Sequence, residues 1–281
     1  MLLKFVRYLR HGPLRSAEKF WRFLGKMYRF IAANNNYHVS QHVGGYGPFK
    51  FDAHFTFSNF SNWGNLHNDG FDGCIEACKG KNVVFDIGAH IGLVTMPMAS
   101  VIAAGGRVVS FEPADVNGDF LKKHVKINGL EDIVTIEHLI LGDTDLEDQI
   151  FYESSSDSGM NSVASGANIS GCRKSHKRQV TLDTYCYENN VFPDVIKIDV
   201  EGAEISVLEG ASKVIEAYKP LIYLSVHPRH IEFLGKTIED LIVLIEHLGY
   251  SCRQADGLAV TEFALKEYIM IPQGPKNATI D

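Results

Sequence analysis

The chain has 281 residues, 45% of them hydrophobic and 22% charged, which is enough for one well-buried α/β domain with an extension. A formal net charge of −7 argues against a nucleic-acid partner, and no apolar run approaches the roughly 18 residues that a bilayer span needs. The N-terminus lacks the apolar core and cleavage site of a signal peptide, and the cysteines at 74, 78, 172, 186 and 252 are odd in number with no zinc spacing, so free thiols and a cytoplasmic location are expected.

The first 30 residues carry Lys4, Arg7, Arg10, Arg15, Lys19, Arg22, Lys26 and Arg29 against Glu18 alone, about +7, leaving about −14 for the remainder. Apolar residues are interleaved with these cations as on two amphipathic helices separated by His11-Gly12-Pro13, so residues 1–33 read as a basic helical extension. Docking on the domain with the cations solvated is its expected fate; contact with a membrane surface or a protein partner is the alternative. Residues 34–80, rich in Gly, Asn, His and aromatics, read as a cap ahead of the main sheet. It has a hairpin within Lys50–Phe57, and Trp63–Asn68 lead into a helix over Phe71–Cys78. No site is assigned there.

The domain itself is expected over 81–281. Val83 to Phe85 have the continuous apolar character of a buried parallel strand, and Asp86 lies at its end. Gly88 and Gly92 let the backbone turn sharply against a ligand before a helix over Leu93 to Val101. About 20 residues further on, Val108-Val109-Ser110-Phe111 ends on Glu112, an acid positioned for the ribose hydroxyls of an adenosine. The turn is D-x-G-x-x-x-G with His90 at the central position, rather than the G-x-G-x-x-G that presses backbone against a pyrophosphate. An acid inside the turn repels a diphosphate but suits an ammonium and a sulfonium, which points to S-adenosylmethionine.

Helical spacing follows from Phe120 to Asn128, then a third strand over Ile133–His138, and Leu141-Gly142-Asp143 places Asp143 either near the expected adenine pocket or as a loop carboxylate capping Thr144 or the next turn. Residues 153–178 combine a small polar stretch with the basic run Arg173–Arg178 and read as a lid loop over an anionic substrate. Val195 to Ile198 form another buried strand, ending at Asp199 and an acidic turn with Glu201 and Glu204 before a helix over Ile205–Tyr218. Strand alternation puts Lys197 on the face of Asp199, as a half-buried cation that must find a carboxylate. Leu221–Val226 is the fifth strand and finishes at His227, on the same rim. A helix over Ile238–Leu248 and two strands near Tyr250–Cys252 and Tyr268–Ile271 close the domain.

D-I-G-A-H-I-G at 86–92, F-E-P at 111–113, L-G-D at 141–143, T-L-D at 181–183, I-K-I-D-V-E-G-A-E at 196–204 and V-H-P at 226–228 together resemble the FkbM-type S-adenosylmethionine-dependent methyltransferases. The resemblance implies a class I, Rossmann-like fold: a seven-stranded, mostly parallel sheet with one antiparallel strand and helices on both faces. It also implies O-methylation of a hydroxyl on a small-molecule, sugar or glycan-like acceptor. Through it Asp86, Gly88, His90 and Gly92 correspond to the cofactor loop, Glu112 to the ribose acid, and Lys197, Asp199 and Glu201 to the site motif. His90 stands where many members have Asn, and Ser225 where an acid is common.

His227 is expected to be the general base, since an ordinary imidazole titrates nearest working pH, with Asp199 orienting it or the acceptor. Asp199, Glu201 and His227 could instead hold Mg²⁺ or Mn²⁺, but no metal is assigned. A non-catalytic protein of this fold, binding a partner or membrane surface through its basic arm, is the alternative function. A nucleic-acid methyltransferase ranks last, because the domain is acidic and no Asn-Pro-Pro-aromatic motif occurs.

Overall fold

The computed structural model describes residues 37–154 and 172–273, with Gly12, Ala17, Phe20 and Trp21 besides. The expected basic helices of residues 1–33 and the middle of the expected lid lie outside the described residues. The chain divides into two compact units, Met1–Ser61 and Asn62–Asp281.

In the first unit, β1 (His38–Val43) and β2 (Tyr46–Asp52) form an antiparallel hairpin. Strict alternation along β1 buries Val39, Gln41 and Val43, and the Gln41 amide donates to the Phe55 carbonyl at 2.7 Å. The hairpin expected within Lys50–Phe57 does not form. The Asp52 carboxylate accepts from His54 N at 2.7 Å and turns the chain into a 3-10 helix over Ala53–Phe55, so the apolar alternation continues in a different geometry.

The second unit begins with α1 (Phe71–Cys78), then β3 (Val83–Ile87), α2 (Thr95–Val101), β4 (Arg107–Phe111), α3 (Asp115–Ile127) and β5 (Val134–Glu137). A small sheet follows, of β6 (Ile140–Leu141), β7 (Leu146–Ser154) and β8 (Cys172–Val180). The chain returns through α4 (Leu182–Asn189), β9 (Val195–Ile198), α5 (Glu204–Glu209), α6 (Ser212–Tyr218), β10 (Leu221–Val226), α7 (Pro228–Phe233) and α8 (Ile238–His247) to β11 (Tyr250–Gln254) and β12 (Lys266–Pro272). The main sheet runs β5-β4-β3-β9-β10-β12-β11, parallel except for β12. This is the class I methyltransferase architecture implied by the sequence motifs. β3 is flanked by β4 on one side and β9 on the other, which makes its C-terminal edge the topological switch point where such sheets bind ligands.

Two segments depart from their sequence reading. The helix expected over 205–218 is broken into α5 and α6 at Gly210. A Cβ there would lie 1.9 Å from the Gly142 carbonyl oxygen, and the Gly210 carbonyl accepts from Asp183 N at 2.9 Å. The Asp183 carboxylate in turn accepts from Lys213 N at 3.1 Å and Val214 N at 2.8 Å, capping α6, while Thr181 caps α4. The T-L-D motif therefore starts two helices.

The basic run is a strand and not a loop. Residues 172–180 pair antiparallel with β7, and Arg173 and Lys177 both reach Asp115, at the start of α3, and the buried Glu153. Lys174 lies over the Tyr152 ring at 5.6 Å, so these cations are spent within the protein. No helix among the described residues is long and apolar enough to cross a membrane.

Candidate functional site

Asp86 is 1% exposed at the end of β3, where the Thr95 hydroxyl donates to its Oδ2 at 2.6 Å. Burial raises its carboxyl to about 6. The turn that follows has positive φ at Gly88, His90 and Gly92. At Gly88 only glycine is admissible: φ is +84°, and a Cβ would stand 1.9 Å from the Asp199 carbonyl oxygen. The turn after β3 is thus pressed against the end of β9, which joins the two halves of the site.

Glu112, at the end of β4, is 5% exposed and binds backbone on both sides. Its Oε2 accepts from His90 N at 2.7 Å and its Oε1 from Ala114 N at 2.9 Å, so one carboxylate clips the turn after β3 to the turn after β4. Burial raises this carboxyl to about 7 against the pull of those donors and of the Asn117 side chain.

On the other side of the switch point, Lys197 has the carboxylate partner that its burial demands. Its Nζ lies 2.8 Å from Glu267 Oε1 on β12, 2.8 Å from the Ser225 hydroxyl and 3.3 Å from Asp199 Oδ2. Burial alone would lower this ammonium, but Asp199 and Glu267 overcome it and hold the pKa above its ordinary value. Lys197 in return keeps the Asp199 carboxyl low in spite of burial.

His227, 6% exposed, follows β10 directly. Its Nδ1 lies 2.7 Å from Oε1 of Glu204, a fully buried residue whose same oxygen accepts from Gly202 N at 3.0 Å. Its Nε2 faces Asp199 Oδ1 at 3.7 Å and Glu201 Oε2 at 3.6 Å. Burial would depress the imidazole, yet the Glu204 hydrogen bond and the three carboxylates push it up to about 9. The expected general base therefore carries a proton at neutral pH, and the ordinary imidazole value on which that role was based does not hold here. Glu201 is raised to about 7 by burial, with Asp199 and Glu204 adding to the rise and His227 opposing it.

A cavity of about 300 Å³ lies over these strand ends, a size at the lower end for a small-molecule site. Of the residues singled out in the sequence, Asp86, Gly88, His90, Glu112, Lys197, Asp199, Glu201 and His227 line it. Gly92 does not: it is buried beneath, its α-carbon against Leu121. Asp143 is also outside, exposed to solvent with Oδ1 accepting from the Thr144 hydroxyl at 3.2 Å, which corrects its expected place at the adenine. Leu139, Ile140, Leu141 and Phe151 supply an apolar wall instead. Acids at one end and an apolar wall at the other match the chemistry of an adenosine carrying an amino-acid tail.

Sequence reasoning missed Glu204 as the partner of His227 and Glu267 as the partner of Lys197; Trp63 and His67, in a loop that could cover a cofactor or be purely structural, lie on the cavity wall. Among the described residues the buried Trp63 Nε1 has no hydrogen-bond partner. The demand of a buried lysine for a carboxylate was a signal for Glu267. Nothing in the spacing singled out Trp63 from the other aromatics of its loop.

Residues 86–252, more than half of the chain, match the model of the methyltransferase FkbM domain. No curated protein matches. Among solved structures, the methyltransferase FkbM from Methylobacillus flagellatus KT is 18% identical, covering 68% of this chain and 44% of that one at a TM-score of 0.43, so this chain spans less than half of that protein. An O-methyltransferase from Bacillus cereus in complex with SAH is 16% identical over 73% of this chain and 82% of its own, with a TM-score of 0.42. A putative rRNA-methylase from Clostridium thermocellum is 12% identical over 73% and 96%, with a TM-score of 0.45.

Proposed function

We propose, from the fact that the chain belongs to the methyltransferase FkbM family, that it transfers a methyl group from S-adenosylmethionine to a hydroxyl oxygen of a small-molecule, sugar or glycan-like acceptor. One observation carries this reading. The acids ending β3 and β4 and the cluster of Asp199, Glu201 and His227 beyond β9 and β10 open on the same cavity. One end suits a cationic nucleoside, and the other gathers the groups that can hold a hydroxyl and draw off its proton.

When bound, S-adenosylmethionine would supply an electrophilic methyl carbon on a sulfonium, with the neutral thioether as leaving group. The chain's residues provide the rest. Glu112 already accepts from His90 N, Ala114 N and the Asn117 side chain, which fill about three of the four lone-pair sites of a carboxylate and leave room for one ribose hydroxyl. Asp86, on the cavity wall with the Thr95 hydroxyl donating to it, presents a carboxylate to the cationic end of the ligand. At the acceptor end Lys197 keeps Asp199 ionised, so that Asp199 and Glu201 can accept a hydroxyl hydrogen bond and fix the direction of the oxygen.

Calorimetry with S-adenosylmethionine, followed by transfer of label to a panel of sugars, polyols and phenols, tests the proposal. Binding together with label on oxygen is the expected result. Tight NAD binding with no S-adenosylmethionine binding would overturn the cofactor, and label found only on amines would overturn the acceptor class.

A further inference from the structure

Building on that reading, we propose that Asp199, Glu201 and His227 hold a divalent metal ion at the acceptor end of the cavity, with Glu204 as the residue that positions the histidine ligand. One oxygen or nitrogen from each of the three lies within 4.8 Å of the others. His227 Nε2 stands 3.6 Å from Glu201 Oε2 and 3.7 Å from Asp199 Oδ1. With metal–ligand bonds of about 2.1 Å, adjacent ligands of an octahedral ion lie about 3.0 Å apart and opposite ones about 4.2 Å. Both histidine–carboxylate separations fall between these, so the imidazole and either acid could share an ion with shifts of a fraction of an ångström.

The second observation is the state of His227 Nε2. The side chain is only 7% exposed, yet this nitrogen makes no hydrogen bond, because both facing carboxylates are beyond bonding distance. Among the described residues this ring nitrogen is aimed into the gap between two acids and hydrogen-bonds neither. The other ring nitrogen is fixed by the fully buried Glu204, which matches the carboxylate–histidine–metal arrangement in which an outer carboxylate sets the tautomer and turns the remaining nitrogen toward the ion. Backbone conformation serves the same end. Glu201 holds φ at +52° and Gly202 at +110°, a reversal that returns the Glu201 side chain toward β10.

Lys197 is paired with Glu267 and Ser225 and reaches only the far oxygen of Asp199, while Glu201 Oε2 has His230 Nδ1 at 3.1 Å, a contact that an ion at this oxygen would share or displace. Two carboxylates and one imidazole best suit a hard divalent ion that accepts nitrogen, which is Mn²⁺ ahead of Mg²⁺. Three protein ligands leave up to three positions open, so the acceptor this site favours is one with two adjacent oxygens, such as a vicinal diol, able to chelate.

The test is a Mn²⁺ titration of the chelator-treated full chain by electron paramagnetic resonance, with S-adenosylmethionine calorimetry in excess chelator run in parallel. We expect one Mn²⁺ per chain, with spin-echo modulation from one imidazole nitrogen. Glu201→Gln and His227→Gln should weaken Mn²⁺ at least about 10-fold, and Glu204→Gln roughly 10- to 100-fold, with cofactor affinity unchanged. Should His227→Gln fail to fold, Glu201→Gln decides alone, since its side chain is 27% exposed. Wild-type protein that binds the cofactor but no Mn²⁺, or variants that bind Mn²⁺ as tightly as wild type, would overturn the metal site. Mn²⁺ bound with the imidazole signal but no cofactor affinity would uphold it and defeat the functional reading instead.

Discussion

Glu112→Gln separates what the cofactor site contributes to binding from what it costs the fold. The Glu112 carboxyl is raised from 4.5 to about 7 because burial outweighs its hydrogen bonds. A group with a raised pKa in the folded state contributes stability that is complete below the unfolded value and is lost as pH climbs through the folded one. Here that window runs from pH 4.5 to about 7. At about 1.4 kcal/mol per pH unit, the ionised carboxylate makes the empty protein less stable at pH 8 than at pH 4 by about 3 kcal/mol. Glutamine imitates the protonated acid, since each retains one good acceptor for the two backbone donors. The variant should therefore match wild type near pH 4.5 and exceed it at pH 8 by up to about 3 kcal/mol in urea denaturation of cofactor-free protein. The same change should weaken S-adenosylmethionine by about 1 to 3 kcal/mol, the worth of a charged hydrogen bond to ribose. Stability differences that stay flat between pH 4.5 and 8 would refute the buried-charge reasoning. A gain at pH 8 with cofactor affinity intact would remove Glu112 from the ribose.

Gly88→Ala should abolish cofactor binding and destabilise the fold by at least about 2 kcal/mol, because the new methyl meets the Asp199 carbonyl in a left-handed conformation; calorimetry and a thermal melt read the two effects. Lys197→Met should cost about 3 to 5 kcal/mol by stranding Glu267 at 1% exposure, and Lys197→Met with Glu267→Leu should recover most of it; a double variant no better than the single would mean that the pair is not the cause. Asp183→Ala should cost about 2 kcal/mol through loss of the cap on α6, with Asp183→Asn in between, as measured by urea denaturation.

The sheet was legible in the sequence because strands buried on both faces must be apolar throughout. Val83–Phe85, Val195–Ile198 and Leu221–Val226 announce themselves, and the polar residue that ends each is found at a strand end in the structure. Where the structure diverges from the sequence reading, a distant partner supplies the reason. Nothing local distinguishes Arg173–Arg178 from a solvated loop, since the ion pairs that make it a strand run to Asp115, about 60 residues earlier. Periodicity continues across Gly210, and only the Gly142 carbonyl pressed against it divides the helix.

His227 carries the same point into function. Its place at the end of β10 follows from the apolar run before it, but its proton affinity does not. That is set by Glu204 from α5 and by Asp199 and Glu201 from the turn after β9, none of them a neighbour in sequence. An isolated imidazole between pH 6 and 7 is a natural base; the same ring between three carboxylates is a cation in the empty protein. A histidine kept protonated at neutral pH is poorly arranged to take a proton from an acceptor. The residues legible as catalytic thus keep their location, while the chemistry drawn from them depends on a charge balance that only the folded chain assembles.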